Sequence, residues 1–138
     1  MKKILFIAPR FHTNQYYTVQ NLMKKYEVFF ISLFKGKVED YKYLEPEVIK
    51  QGSLSRQLQI FFKLRFDTLY FPNFFQLFRI FKKIKPDIII LRIYSRPLLY
   101  LVSILSKIFK AKIIFYDQSP ELNYKNLISF FKYCEIIF

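Results

Sequence analysis

Glycine is nearly missing from this chain: 138 residues contain only Gly36 and Gly52, where average usage would supply about ten. A Walker-type loop and the G-x-G-x-x-G dinucleotide fingerprint both need glycines at fixed spacing so that backbone can approach a phosphate, and neither can be written here. Cys134 and His12 are each the sole residue of their type, which argues against a disulfide framework, a Cys/His zinc site or a Cys–His or Ser–His nucleophile pair. No metal and no resident cofactor are expected. One lone thiol suits a reducing cytoplasm. Long apolar runs are also lacking. The best candidate, 88–109, is broken by Arg92, Arg96, Pro97 and Lys107, so no spanning helix is expected. The apolar stretch Ile4–Ala8 meets Pro9 and Arg10 after five residues, too soon for a secretory signal.

Acidic residues are scarce as well. Ten Asp and Glu face 23 Lys and Arg, a formal +13, which points to an anionic partner: a membrane surface, a phosphorylated ligand or nucleic acid. The lysine, isoleucine, phenylalanine and tyrosine excess matches the codon usage of an AT-rich genome, yet that bias does not explain the distribution. Residues 48–116 carry thirteen basic residues against Asp67 and Asp87 alone.

What is present is an apolar, globular composition, 53% hydrophobic and 24% charged, in a length that suits one domain with a real core. Residues 3–8 form a continuous apolar run, as strands covered on both faces do. A polar loop, 9–14, leads into a helix in which Tyr16, Val19, Leu22, Met23 and Tyr26 recur at three and four, the helical period. Glu27–Ser32 is a second apolar strand, completing a βαβ unit. Residues 35–72 are the least legible and predict one or two helices. Asn73 is placed to cap a helix with Phe74, Leu77, Phe78, Phe81 and Ile84 inward, closed by Pro86. Asp87–Ile93 predicts a strand. Arg96 or Pro97 opens a helix expected to bury Leu98, Leu101, Val102, Leu105, Ile108 and Phe109 and to expose Ser103, Ser106, Lys107 and Lys110. Lys112–Tyr116 reads as a strand, Glu121–Phe131 as a helix, and Glu135–Phe138 as the start of a further strand. Strands alternating with helices predict an α/β fold, a Rossmann-like parallel sheet with helices on both faces. Ligands in such sheets sit beyond the carboxyl ends of the strands, here the loops 9–15, 92–97 and 117–120.

Two stretches look familiar together: Met1–Ser32, with its Lys-Ile-Leu-Phe-Ile strand and Tyr-Glu-Val-Phe-Phe-Ile, and Lys85–Tyr116, with Lys-Pro-Asp-Ile-Ile-Ile, an arginine-rich turn, a leucine-rich helix and Ala-Lys-Ile-Ile-Phe. In order and spacing the chain resembles the N-terminal domain of the GT-B glycosyltransferases of family 4. That resemblance implies two Rossmann-like domains across a cleft, the first mainly binding the acceptor and the second mainly holding a nucleotide-sugar donor. It implies metal-independent transfer of a sugar to a polysaccharide or lipid-linked acceptor. Residues 1–138 match the first domain only, so the donor-binding domain is expected to be absent, the chain to be a truncated or split form, inactive alone, and a C-terminal domain or partner chain to complete it. Many relatives carry Gly-Gly in the first loop where this chain has Thr13 and Asn14. A Glu-x7-Glu spacing occurs at Glu39 and Glu47, but in the wrong half of such an enzyme, and is read as chance.

By this resemblance Arg10, His12, Thr13, Asn14 and Gln15 contact acceptor and donor phosphates, with His12 a candidate general base; helix capping competes for Thr13 and Asn14. Arg92, Tyr94, Ser95 and Arg96 offer two arginines four apart for a phosphate, against the alternative of a solvated turn. Asp117 is placed to orient an acceptor hydroxyl, with Gln118 and Ser119 beside it, against capping of the next helix. Arg56, Phe61, Phe62, Lys63, Arg65 and Phe66 interleave bases with aromatics, as a helix in a membrane interface does; the competing reading packs Leu58, Phe61 and Phe62 inward. Location is expected at the cytoplasmic side, peripheral on an anionic membrane. The rival function is a non-catalytic, membrane-associated subunit that recruits a separate catalytic chain. Nucleic acid is not an expected partner, since no recognition motif accompanies the charge.

Overall fold

The computed structural model describes residues 1–11, 13–34, 43–63, 71–92, 96–116 and 135–136. In chain order the elements are β1 (Lys3–Ala8), α1 (Thr13–Met23), β2 (Glu27–Ser32), β3 (Glu47–Val48), α2 (Ser53–Phe61), α3 (Phe74–Ile84), β4 (Ile88–Arg92), α4 (Arg96–Phe109), β5 (Lys112–Tyr116) and β6 (Glu135–Ile136). The strands form one sheet in the order β3-β2-β1-β4-β5-β6, and every neighbouring pair is parallel. This is the Rossmann-like α/β architecture that the apolar runs predict.

Alternation within the strands sorts the core into two layers. Leu5 and Ile7 of β1, Ile31 of β2, Ile89 and Leu91 of β4 and Ile113 and Phe115 of β5 pack with Leu77, Phe81 and Ile84 of α3 and Leu98, Val102 and Leu105 of α4. The opposite face, Ile4, Phe6 and Ala8 with Val28 and Phe30, packs on Val19, Tyr16 and Leu22 of α1. Both faces of the central strands are thus covered, which is why their sequences run apolar without interruption. Leu5 and Ile89 are wholly buried, and truncating either to Ala costs about 2–5 kcal/mol.

The helices are fixed by local signals as much as by packing. Asn73 caps α3, its side chain accepting from the Gln76 amide at 3.1 Å, and Lys82 and Lys83 fall in the last turn, where the helix dipole favours cations. Lys85 ends α3 in the left-handed region at φ 50, its amide donating to the Phe81 carbonyl at 2.8 Å, and Pro86 prevents continuation.

Three details differ from the sequence reading. Ser103 and Ser106 are buried in α4, whereas Ile104 and Ile108 are exposed. The two hydroxyls donate to the Leu99 and Ser103 carbonyls at 2.7 and 2.8 Å, so burying them leaves no unpaired donor and the apolar face is wider and rotated. Phe74 is exposed, and Ile80 takes an inward place on α3. Strand β3 is only two residues long and has no periodicity to read. Glu135–Ile136 does form a strand; the expected helix 121–131 lies outside the described residues.

Candidate functional site

In this strand order the chain winds outward from β1 in both directions, so the crevice between β1 and β4 is the topological switch point, the usual ligand position in open α/β sheets. What lies there follows from register. Ala8 pairs with Ser32, Ile7 pairs with Leu91, and Arg92 pairs with Tyr116. The last rung of the sheet therefore reads Ser32, Ala8, Arg92, Tyr116 across four strands. Alternation puts Ser32, Ala8 and Arg92 on the α1 face, in line with Phe30, Phe6 and Ile90.

The first loop is held in place by its aromatic residue. Phe11 is buried with its ring 4.6 Å from Phe30 and 6.5 Å from Tyr16. The Pro9 carbonyl accepts from the amides of Leu33 and Phe34 at 2.9 and 3.2 Å, tying the exits of β1 and β2 together. Helix α1 begins at Thr13, two residues after the pinned Phe11. Thr13, Asn14 and Gln15 are accordingly the first turn of α1 rather than loop residues, a correction to the expected 9–15 loop. Gln15 is buried on the same side as Val19 and Leu22, and Arg10 is half-buried immediately beyond β1.

Arg92 is the last residue of β4, half-buried, and its guanidinium makes no ion pair or hydrogen bond among the described residues. Arg96 opens α4. The two expected phosphate-binding arginines thus belong to the end of β4 and the start of α4. Neither α1 nor α4 has an acidic residue in its first turn, so neither helix offsets the positive end of its own dipole at the carboxyl edge. Ser32, fully buried, carries a hydroxyl with no partner among the described residues. A guanidinium and a hydroxyl with no partners among the described residues, together with two helix N-termini, can receive an anionic oxygen-rich group.

His12, Tyr94, Ser95, Asp117, Gln118 and Ser119 lie outside the described residues, as do Arg65 and Phe66 of the basic aromatic segment. Arg56, Phe61, Phe62 and Lys63 are all exposed. Glu47 sits in β3, exposed. Among the described residues no group of acids, histidines and cysteines could hold a metal ion, and no helix is long and apolar enough to cross a membrane.

Sequence reading missed Ser32, although its position was visible: it is the polar residue that ends an apolar strand. It missed, too, a surface groove of about 480 Å³ where Arg79 and Lys83, one turn apart on α3, line the wall with Phe75 and Glu47. The i, i+4 spacing of the two bases was the available signal. No protein family matches the chain, and no curated protein or solved structure matches it either.

Proposed function

We propose that this chain is the acceptor-side domain of a glycosyltransferase that moves a sugar from a nucleotide donor to a polysaccharide or lipid-linked acceptor at the cytoplasmic face of a membrane. The observation that carries the reading is Arg92, a guanidinium with no partner among the described residues at the β1/β4 switch point of a parallel sheet, with the N-termini of α1 and α4, neither bearing an acid in its first turn, at the same edge. An anionic substrate is what such an edge favours, and the absence of a glycine loop suits recognition by side chains and helix ends rather than by close backbone contact. The resemblance of 1–32 and 85–116 to family-4 enzymes gives the reaction its class.

In that reaction an acceptor oxygen bonds to the anomeric carbon, the bond from that carbon to the donor phosphate breaks, and the nucleotide leaves with the electron pair. Arg92 and Arg96 would balance the charge on the phosphates, and Arg10, Thr13, Asn14, Gln15, Tyr94, Ser95, Gln118 and Ser119 would contact substrate. Asp117 would orient the acceptor hydroxyl, and His12 would take its proton. A second domain or partner chain supplies the donor-holding half.

The test adds the purified chain to membranes of its source cell with radiolabelled nucleotide sugars. Incorporation into polymer or lipid above that of membranes alone, lost with Arg92→Ala, supports the reading. Equal incorporation with and without the chain rejects it. The outward face of α2 favours one alternative, a non-catalytic subunit that attaches to membrane and recruits a separate enzyme. That alternative predicts recruitment of activity to vesicles that Arg92→Ala leaves intact.

A further inference from the structure

Helix α2 is turned inside out. Its buried residues are Ser55 and Gln59, held by polar bonds: the Gln51 side-chain amide donates to the Ser55 hydroxyl at 2.8 Å and to Gln59 Oε1 at 2.6 Å, and the Phe71 amide donates to the Ser55 hydroxyl at 3.2 Å. Its apolar stripe, Leu54, Leu58 and Phe61 at i, i+4 and i+7, faces outward, with Leu54 69% and Phe61 79% exposed. Inward packing of Leu58, Phe61 and Phe62 is thereby excluded. A helix that satisfies itself through two polar residues leaves its hydrophobic face for something else.

The neighbouring segment extends the apolar surface. Phe71 lies beside the first turn of α2, its carbonyl accepting from the Gly52 amide at 2.9 Å, and Phe71, Phe74 and Phe75 are all exposed. Residues 48–63 and 71–86 together hold seven cations and no acid. Arg79 and Lys83 make no ion pair among the described residues and line the groove beside Phe75. Glu47 is the one acid in the groove lining, against Arg79 and Lys83, and exposed aromatics beside such a net cationic surface complement one that is apolar inside and anionic at its boundary.

We infer that α2 lies in the interface of an anionic lipid bilayer, with Leu54, Leu58 and Phe61 inserted and the Arg79–Lys83 groove taking lipid phosphate. The α3 N-terminus sits at the carboxyl edge of the sheet, since the Asn73 amide donates to the Lys50 carbonyl and the Gln76 side chain to the Val48 carbonyl, at 2.9 and 3.0 Å. Docking through this segment therefore brings the edge that carries Arg92 to the lipid, and an acceptor held in the membrane would reach it directly. The docking surface rests on α2 and α3 and does not depend on sugar transfer.

The test is co-sedimentation of the full chain with phosphatidylcholine vesicles with and without phosphatidylglycerol. The wild type binds the anionic vesicles, and Leu54→Asp and Phe61→Asp each weaken that binding about tenfold or more. Because both positions are exposed, the variants keep their circular dichroism and melting temperature. Arg79→Ala with Lys83→Ala weakens binding only where phosphatidylglycerol is present. Binding that Phe61→Asp leaves unchanged overturns the inference, as does a wild type that ignores both vesicles. So does a wild-type dimer, seen by light scattering, that Phe61→Asp converts to monomer without any lipid binding.

Discussion

Asp87 and Lys3 hold each other reciprocally across the start of the sheet: the Lys3 amide donates to the Asp87 carboxylate at 2.7 Å, and the Asp87 amide donates to the Lys3 carbonyl at 3.0 Å. The Asp87 carbonyl also accepts from the Lys112 amide at 2.9 Å. One residue therefore aligns β1, β4 and β5 at their amino ends, and the register it sets runs up the sheet to Ala8, Arg92 and Tyr116. The Lys-Pro-Asp triplet has a structural task at the end away from the candidate site. Asp87→Ala is expected to lower unfolding free energy by about 1–2 kcal/mol, and Asp87→Asn, which keeps an acceptor oxygen, by less. Urea denaturation of both variants checks the order.

The inverted helix makes a stability prediction of its own. Gln59→Ala removes the acceptor of a part-buried side-chain bond and leaves one of the two Gln51 amide N–H groups without its partner, at a cost of about 1–2 kcal/mol. Leu54→Asp, on the outward stripe, changes stability by no more than about 0.5 kcal/mol. An ordinary amphipathic helix would give the reverse ranking, so thermal melts of the two variants separate the arrangements.

Scarcity of glycine leaves a mark at the helix ends. Lys63, Lys85 and Lys110 adopt φ of 51, 50 and 55 after α2, α3 and α4, a region where a side chain meets the backbone and glycine is the usual occupant. Lys85→Gly and Lys110→Gly should each raise stability by about 0.5–1 kcal/mol, seen as an increase in melting temperature of about 2–4 °C.

Ser32 sets stability against binding. A buried hydroxyl without a partner costs about 1–3 kcal/mol, and Ser32 has none among the described residues, so Ser32→Ala is expected to stabilise the free protein. If the hydroxyl serves a ligand at the last rung of the sheet, the same variant binds that ligand more weakly. Melting temperature and affinity for nucleoside diphosphate sugars, measured on the same preparation, should move in opposite directions.

The strands and their order of appearance were legible because both-sided burial demands unbroken apolar runs: Lys3–Ala8, Glu27–Ser32 and Lys112–Tyr116 carry the same bounds in sequence reading and structure. Asn73 and Pro86 marked α3 through capping and the missing amide. Where side chains satisfy themselves locally, polarity misled, since Ser103, Ser106, Ser55 and Gln59 all look like surface and are buried. Strand β3 has too few residues for a pattern. Of the candidate site, Arg10 and Arg92 were recognisable as basic residues just past apolar strands. Ser32 stood in the sequence as the polar residue ending an apolar strand, but its place on the rung follows only from register, because its partners there belong to strands far apart in sequence.

The most direct measurement is a nuclear magnetic resonance titration of the isotope-labelled chain with nucleoside diphosphate sugars, reading amide shifts residue by residue. Saturable shifts concentrated at Ala8, Arg10, Ser32 and Arg92, abolished by Arg92→Ala, are the predicted result. Shifts scattered over the surface lysines, or a response at those positions that Arg92→Ala leaves intact, would contradict an anion-binding site at the switch point.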